Sequence, residues 1–240
     1  MLSVCIPTLP ERIQMFQTLW DRLQGLVKTA PFEIELIAQS GDDTTGKKRN
    51  DLIYEAKGDY VVFIDDDDQV SDDYFLVMEE GIKQGVDCIR LNGKYSFNGS
   101  YQKNFHCSLT YTQWGDETAF AYRPPCHLNP IKTSIMKRFP FQDTSVGEDV
   151  IQSLDMVKAK AIQTEYFTSK LTYDYLCMPK SFPPSVKAKT IQAGMTKHDL
   201  MVCLLEKANK GLIRPHITFP KSHQNTSIDL AMHSLTMSGQ

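Results

Sequence analysis

The chain has 240 residues, 26 basic and 29 acidic, a formal net charge of −3, and 41% hydrophobic and 23% charged residues. That composition belongs to a folded globular chain and excludes collagen-like and largely disordered proteins. The mild charge argues against coating nucleic acid by bulk electrostatics, and no apolar run approaches the roughly 18 residues of a transmembrane helix.

Residues 2–7 (LSVCIP) read as a short buried strand ended by proline. Over 11–27, Ile13, Phe16, Leu19, Trp20, Leu23 and Leu26 recur at helical spacing, with Pro10 suited to a helix start. Residues 32–38 predict a second strand, followed by the polar loop SGDDTTG. Residues 45–57 predict a helix with Leu52, Ile53 and Ala56 on one face, Lys47, Lys48 and Arg49 in its first turns, and Gly58 as its stop. Residues 60–64 (YVVFI) are apolar without alternation, as in a strand covered on both faces. Strand, helix, strand, helix, strand implies parallel pairing and an α/β fold, whose ligands bind beyond the carboxyl ends of the strands.

Ser71 predicts the cap of a helix over 72–83, followed by a strand over 86–91. Residues 94–122 alternate aromatic and polar side chains, which predicts extended, partly antiparallel structure. A short helix is expected over 150–159 and another over 198–209. The division expected is a main domain over 1–180 and a C-terminal extension over 181–240, a helix plus tail packed on the same domain. The N-terminus lacks the basic and apolar regions of a signal peptide. Cysteines at 5, 88, 107, 126, 177 and 203 form no C-x-x-C pair, so free thiols in a soluble, cytoplasmic protein are expected, in host cytoplasm if the source is viral.

Six acids lie within the nine residues 65–73; without them the rest of the chain carries +3. Two carboxylates about 4 Å apart repel by roughly 4 kcal/mol at an effective dielectric near 20. At the end of a buried strand this calls for compensation. A divalent cation held by one or two carboxylates together with substrate phosphates supplies it. A solvated loop that caps the next helix is the plainer alternative. An EF-hand loop fails because Gln69 and Val70 stand where an acid or amide and a glycine are required. An aspartyl-phosphate phosphatase would use Asp66 as nucleophile and Asp68 as acid, a permitted spacing, but such sites usually follow the first strand.

The segments LSVCIPTLPER, GKKRNDLIYEAKGDYVVFIDDDDQVSDDY and GEDVIQSLDM, in that order over residues 1–160, resemble the family-2 glycosyltransferases. Small bacteriophage members are among them. The resemblance implies the GT-A fold, a Rossmann-like α/β architecture with a mostly parallel central sheet. It also implies a D-x-D motif holding Mn²⁺ or Mg²⁺ against the diphosphate of a nucleotide sugar. Asp67 is then the most direct metal ligand, with Asp65 at the metal, ribose or sugar and Asp66 beside the nucleotide. Pro7, Thr8, Gln39, Lys48, Arg49 and Asn50 would line the nucleotide pocket. Glu148 and Asp149 match the family's E-D pair, with Asp149 as base. Inverting transfer needs a group that takes the acceptor hydroxyl's proton, while the metal stabilises the departing diphosphate. The helix dipole alone also favours acids at that position.

The family's paired acids after strand two are replaced by Gln39, Ser40 and Gly41, which leaves the nucleotide base open. His127 and Asn129, in the proline-rich loop RPPCHLNP, and Trp114 and Tyr111 would fall near the donor sugar or acceptor. A structural hydrogen bond for His127 and core packing for the aromatics are the alternatives. His198, His216 and His223 are candidates for a C-terminal metal ligand. The expected partners are a nucleotide-diphosphate sugar and an acceptor that is a glycan or small molecule. A hydroxymethylated DNA base is a further option, although no nucleic-acid motif occurs. A non-catalytic sugar-nucleotide binding protein is the competing reading.

Overall fold

The computed structural model describes residues 1–97 and 99–177. The helix expected over 198–209, the extension over 181–240, and His198, His216 and His223 lie outside them.

The elements run β1 (Leu2–Thr8), α1 (Ile13–Val27), β2 (Ile34–Ser40), α2 (Thr45–Glu55), β3 (Tyr60–Phe63), β4 (Gln69–Val70), α3 (Glu79–Gln84), β5 (Cys88–Ile89), β6 (Leu91–Phe97), β7 (Ser100–Cys107), β8 (Gly115–Asp116), β9 (Phe120–Arg123), β10 (Ile131–Lys132), α4 (Thr133–Met136), α5 (Glu148–Lys158), β11 (Glu165–Tyr166) and β12 (Tyr173–Cys177). They build two six-stranded sheets. The first has the order β11-β5-β10-β3-β1-β2, with β1 parallel to both β2 and β3 and β10 antiparallel to β3 and β5. The second has the order β4-β12-β6-β7-β9-β8.

Every residue of β1 and β3 is buried, because the first sheet is covered on both faces. Alternate side chains therefore enter different cores. Leu2, Val4, Ile6, Tyr60, Val62 and Ile64 pack with Leu19 and Leu23 of α1. Cys5, Val61 and Phe63 pack with Leu52 and Ile53 of α2, Ile135 and Met136 of α4, and Phe141. The mixed α/β fold and the parallel pairing of the first three strands follow the sequence pattern. Among the described residues no helix is long and apolar enough to cross a membrane.

Two local expectations are corrected. The helix expected over 72–83 shrinks to a 3₁₀ turn at Leu76–Met78 and the short α3. The Ser71 hydroxyl donates to Asp73 Oδ1 instead of capping an amide, so the expected helix lacks its N-terminal cap. The strand expected over 86–91 is broken at Arg90. Cys88–Ile89 stays in the first sheet, and the chain then crosses to the second as β6.

Candidate active site

Parallel pairing brings the carboxyl ends of β1 and β3 side by side, so Thr8 and the acids after Ile64 share one edge. Thr8 Oγ1 donates to Asp66 Oδ2 at 2.6 Å. Arg12, in the turn before α1, donates to Asp66 and, at 2.9 Å, to Asp67 Oδ2. Asp68 is buried and turned the other way, accepting from the Tyr173 hydroxyl at 2.7 Å and the Leu176 amide at 2.8 Å. Asp66 and Asp68 thus have separate partners and do not converge as a nucleophile–acid pair. Burial raises both their carboxyls above the usual range.

Asp65 faces α2 and α5. Arg49, 2% exposed, donates to Asp65 Oδ1 at 2.8 Å through one terminal nitrogen and to Glu148 Oε1 at 2.6 Å through the other. Its guanidinium also lies 5.7 Å from the ring centre of Phe63 and 5.4 Å from that of Phe141. Burial alone would raise the Asp65 carboxyl, but Arg49 and His127 outweigh it and hold Asp65 well below the usual carboxylate range. Burial pushes Glu148 up to about 7, against the pull of Arg49. His127 lies between two carboxylates, Nε2 at 3.7 Å from Asp65 and Nδ1 at 3.6 Å from Asp149. Burial and Arg49 would lower it, yet its contacts with Asp65 and Cys126 raise it to about 9. Among the described residues the buried His127 Nδ1 has no hydrogen-bond partner.

Two glycines permit this convergence. Gly46 sits in the first turn of α2 where a Cβ would fall 1.7 Å from the Gln142 carbonyl oxygen, and its amide donates to Thr144 O at 3.0 Å. That close approach draws the segment preceding α5 onto α2. Gly147, at φ 80°, then turns the chain into α5 and delivers Glu148 to Arg49.

The other expected site residues divide by what their polar atoms touch. Pro7 and Gln39 are paired across β1 and β2, and the Gln39 amide donates to Asp51 at 3.1 Å. The buried Lys48 ammonium donates to the carbonyls of Thr8 at 2.6 Å and Gly41 at 3.0 Å, so it ties down the end of β1. Asn50 donates to Phe141 O and accepts from Phe141 N, both at 2.8 Å, which commits its amide to backbone. Asn129 is likewise spent on backbone: it donates to Ile89 O and Cys107 O and accepts from Cys126 N, fixing the loop that carries His127. Trp114 is 8% exposed and donates to Ser153 Oγ at 3.4 Å, while Tyr111 stacks on Tyr122. Trp114 therefore packs in the core.

Sequence reasoning missed Arg12, read only as part of a helix start, and Tyr173, the partner of Asp68. The compensation required for the acids comes in this structure from Arg12 and Arg49. Among the described residues no group of three His, Cys, Asp or Glu side chains converges to hold a metal. Asp65 and Asp67 keep side-chain exposures of 26% and 17%, against 2% for Asp66. Their carboxylate oxygens are hard donors of the kind that Mn²⁺ or Mg²⁺ takes.

The family model described as glycosyl transferase family 2 matches residues 17–144. The fold is similar to that in the crystal structure of S. aureus TarS 1-349, at 16% identity and TM-score 0.51, over 73% of this chain and 60% of that one. It is similar to S. aureus TarS at 14% identity and TM-score 0.51, over 92% of this chain and 44% of that one. The complex of TarS 1-349 with UDP-GlcNAc gives 12% identity and TM-score 0.54, over 90% and 68%. The chain thus spans less than two thirds of the first two structures, and at these identities the likeness concerns the fold. No curated protein matches the sequence.

Proposed function

Since the chain belongs to glycosyl transferase family 2, we propose that it moves a sugar from a nucleotide-diphosphate donor to an acceptor hydroxyl with inversion at the anomeric carbon. The observation that carries this reading is the meeting of Asp65, Arg49, Glu148 and His127 at the carboxyl edge of the first sheet, with Asp149 beside them. Thr8 and the end of β1 form the nucleotide side of that edge. Asp149, the second residue of α5, keeps its side chain 13% exposed, positioned to accept a proton from outside the core.

In the reaction the acceptor oxygen attacks the anomeric carbon as the bond to the diphosphate oxygen breaks. The hydroxyl proton passes to Asp149. No covalent sugar–protein intermediate is required. Glu148, held on Arg49, fixes the first turn of α5 and with it the position of Asp149. Asp67 and Asp65 would hold the divalent ion, which supplies positive charge to the leaving diphosphate. Arg12 lies on Asp66 and Asp67 and provides a second cation at that edge.

A thermal-shift screen of nucleoside diphosphates and diphospho-sugars, with and without Mn²⁺, tests the proposal. UDP-GlcNAc, the ligand in the TarS complex, is the first donor to try. Stabilisation by one nucleotide diphosphate that deepens with Mn²⁺, followed by slow donor hydrolysis, is the expected result. The absence of any response across the nucleotide set would overturn it.

A further inference from the structure

Arg123, at the end of β9, is the basic residue of this region that the proposed chemistry leaves unused. We infer that its guanidinium is an oxyanion-binding element on the acceptor side of the site, selecting acceptors that carry a phosphate or carboxylate group. The inference rests on the glycosyltransferase reading and goes beyond it by naming the acceptor's chemical class.

Arg123 is partly buried and enclosed by aromatic faces. Its guanidinium carbon lies 4.6 Å from the ring centre of Trp114, 5.1 Å from that of Phe105 and 5.6 Å from that of Tyr175. Other basic side chains at the site have conventional partners: Arg49 has two carboxylates, Arg12 has two, and Lys48 has two carbonyls. Among the described residues Arg123 makes no ion pair within 4 Å and no side-chain hydrogen bond. Ring faces hold the flat of a guanidinium but do not satisfy the N–H donors along its edge. Arg123 is only partly buried and none of its nitrogens is a buried atom lacking a partner, so that edge faces solvent and is open to an oxyanion accepting from it in a charge-assisted pair.

The cage adjoins the candidate base. Asp149 and Ser153 are one helical turn apart on the same face of α5. Ser153 Oγ accepts from Trp114 Nε1 and donates to Pro125 O at 3.0 Å, so the Trp114 ring that carries Arg123 is anchored one turn below Asp149. An acceptor gripped at Arg123 through an anionic substituent would present a neighbouring hydroxyl towards the Asp149 carboxylate. A neutral acceptor would leave the guanidinium edge unmatched.

The test is a titration followed by ¹H–¹⁵N spectra of the whole chain. It uses the arginine Nε–H signals and the indole N–H of Trp114, assigned through the backbone so that the reading does not depend on a variant folding. Methyl phosphate and acetate are the probes. A saturable shift of the Arg123 and Trp114 signals is expected with at least one of them, and the preferred probe identifies the oxyanion. In Arg123→Gln the Trp114 shift should be lost, while the response to UDP with Mn²⁺ stays within twofold of the unaltered protein. Absence of a shift at Arg123, or a small non-saturating drift shared by all arginines, overturns the inference. A protein that answers UDP with Mn²⁺ but not the oxyanions at Arg123 sinks this inference alone. One that takes up no nucleotide diphosphate sinks the reading beneath it as well.

Discussion

Asp65 and Glu148 share one guanidinium. Arg49 reaches Asp65 at 2.8 Å and Glu148 at 2.6 Å, so the acidic end of β3 and the start of α5 are fastened to each other through α2. Removing one partner of a buried ion pair costs about 3–5 kcal/mol, because the charge left behind has no compensation. Arg49→Met should therefore lower the unfolding free energy by at least that range, read from urea denaturation. Arg49→Lys should fall nearly as far, since an ammonium cannot make both planar contacts. Wild-type stability in Arg49→Lys would show that charge alone, without the fork, holds the site together.

Gly46 gives a second test, independent of charge. A Cβ 1.7 Å from the Gln142 carbonyl oxygen leaves no rotamer to adjust, so the segment before α5 must move. Gly46→Ala would ordinarily help a helix by about 1 kcal/mol. Here it should cost roughly 1–3 kcal/mol instead, the range for forced overpacking. A more stable Gly46→Ala protein would mean that α2 and the 142–144 segment are not in contact.

These two residues also mark where the sequence is legible and where it is not. The apolar run of β3, the acids behind it and the glycine–acid–acid start of α5 are local patterns, and periodicity exposes them. The direction of a side chain is not local. Lys48, Asn50 and Asn129 have the residue types of ligand contacts, yet their polar atoms clamp the backbone of Thr8, Phe141 and Cys107. Arg12 looks like a solvated first-turn residue until the fold places it against Asp66 and Asp67. The acids need compensating charge, as their crowding implies, but residues far away in sequence provide it. The glycine at 46 was the available clue to the 142–148 segment, and only the packing gives it meaning.

Asp67→Ala should abolish the Mn²⁺-dependent part of nucleotide-diphosphate binding and leave a weaker, metal-independent part. Isothermal titration with and without chelator separates the two. The variant should unfold within about 1 kcal/mol of the unaltered protein, since Asp67 is partly exposed and its ion pair with Arg12 is near the surface. Donor affinity that responds neither to the substitution nor to chelator would remove Asp67 as the metal ligand.

Asp149→Asn keeps the shape of the side chain and removes its basicity. Donor affinity should stay within about twofold, while transfer falls by roughly 10²–10⁴, the usual contribution of a positioned general base. Single-turnover transfer measured at saturating donor is the readout. A variant that retains full transfer would exclude Asp149 as the proton acceptor.

His127 sets a pH dependence of stability. Its pKa in the folded chain, about 9, lies above the ordinary 6.5, so the folded state holds a proton that the unfolded state has released. The resulting stability is fully present below pH 6.5 and disappears as pH rises through about 9. Glu148, raised to about 7, loses its own contribution earlier, between its ordinary 4.5 and 7. A window from pH 7 to 9 therefore lies above the change at Glu148 and covers that of the histidine. With chelator present, the unaltered protein should lose roughly 2–3 kcal/mol more than His127→Gln across that window, at about 1.4 kcal/mol per pH unit. Parallel stability curves for the two proteins would mean that His127 is neutral in the folded chain, and the positive charge between Asp65 and Asp149 would then have to come from Arg49 alone.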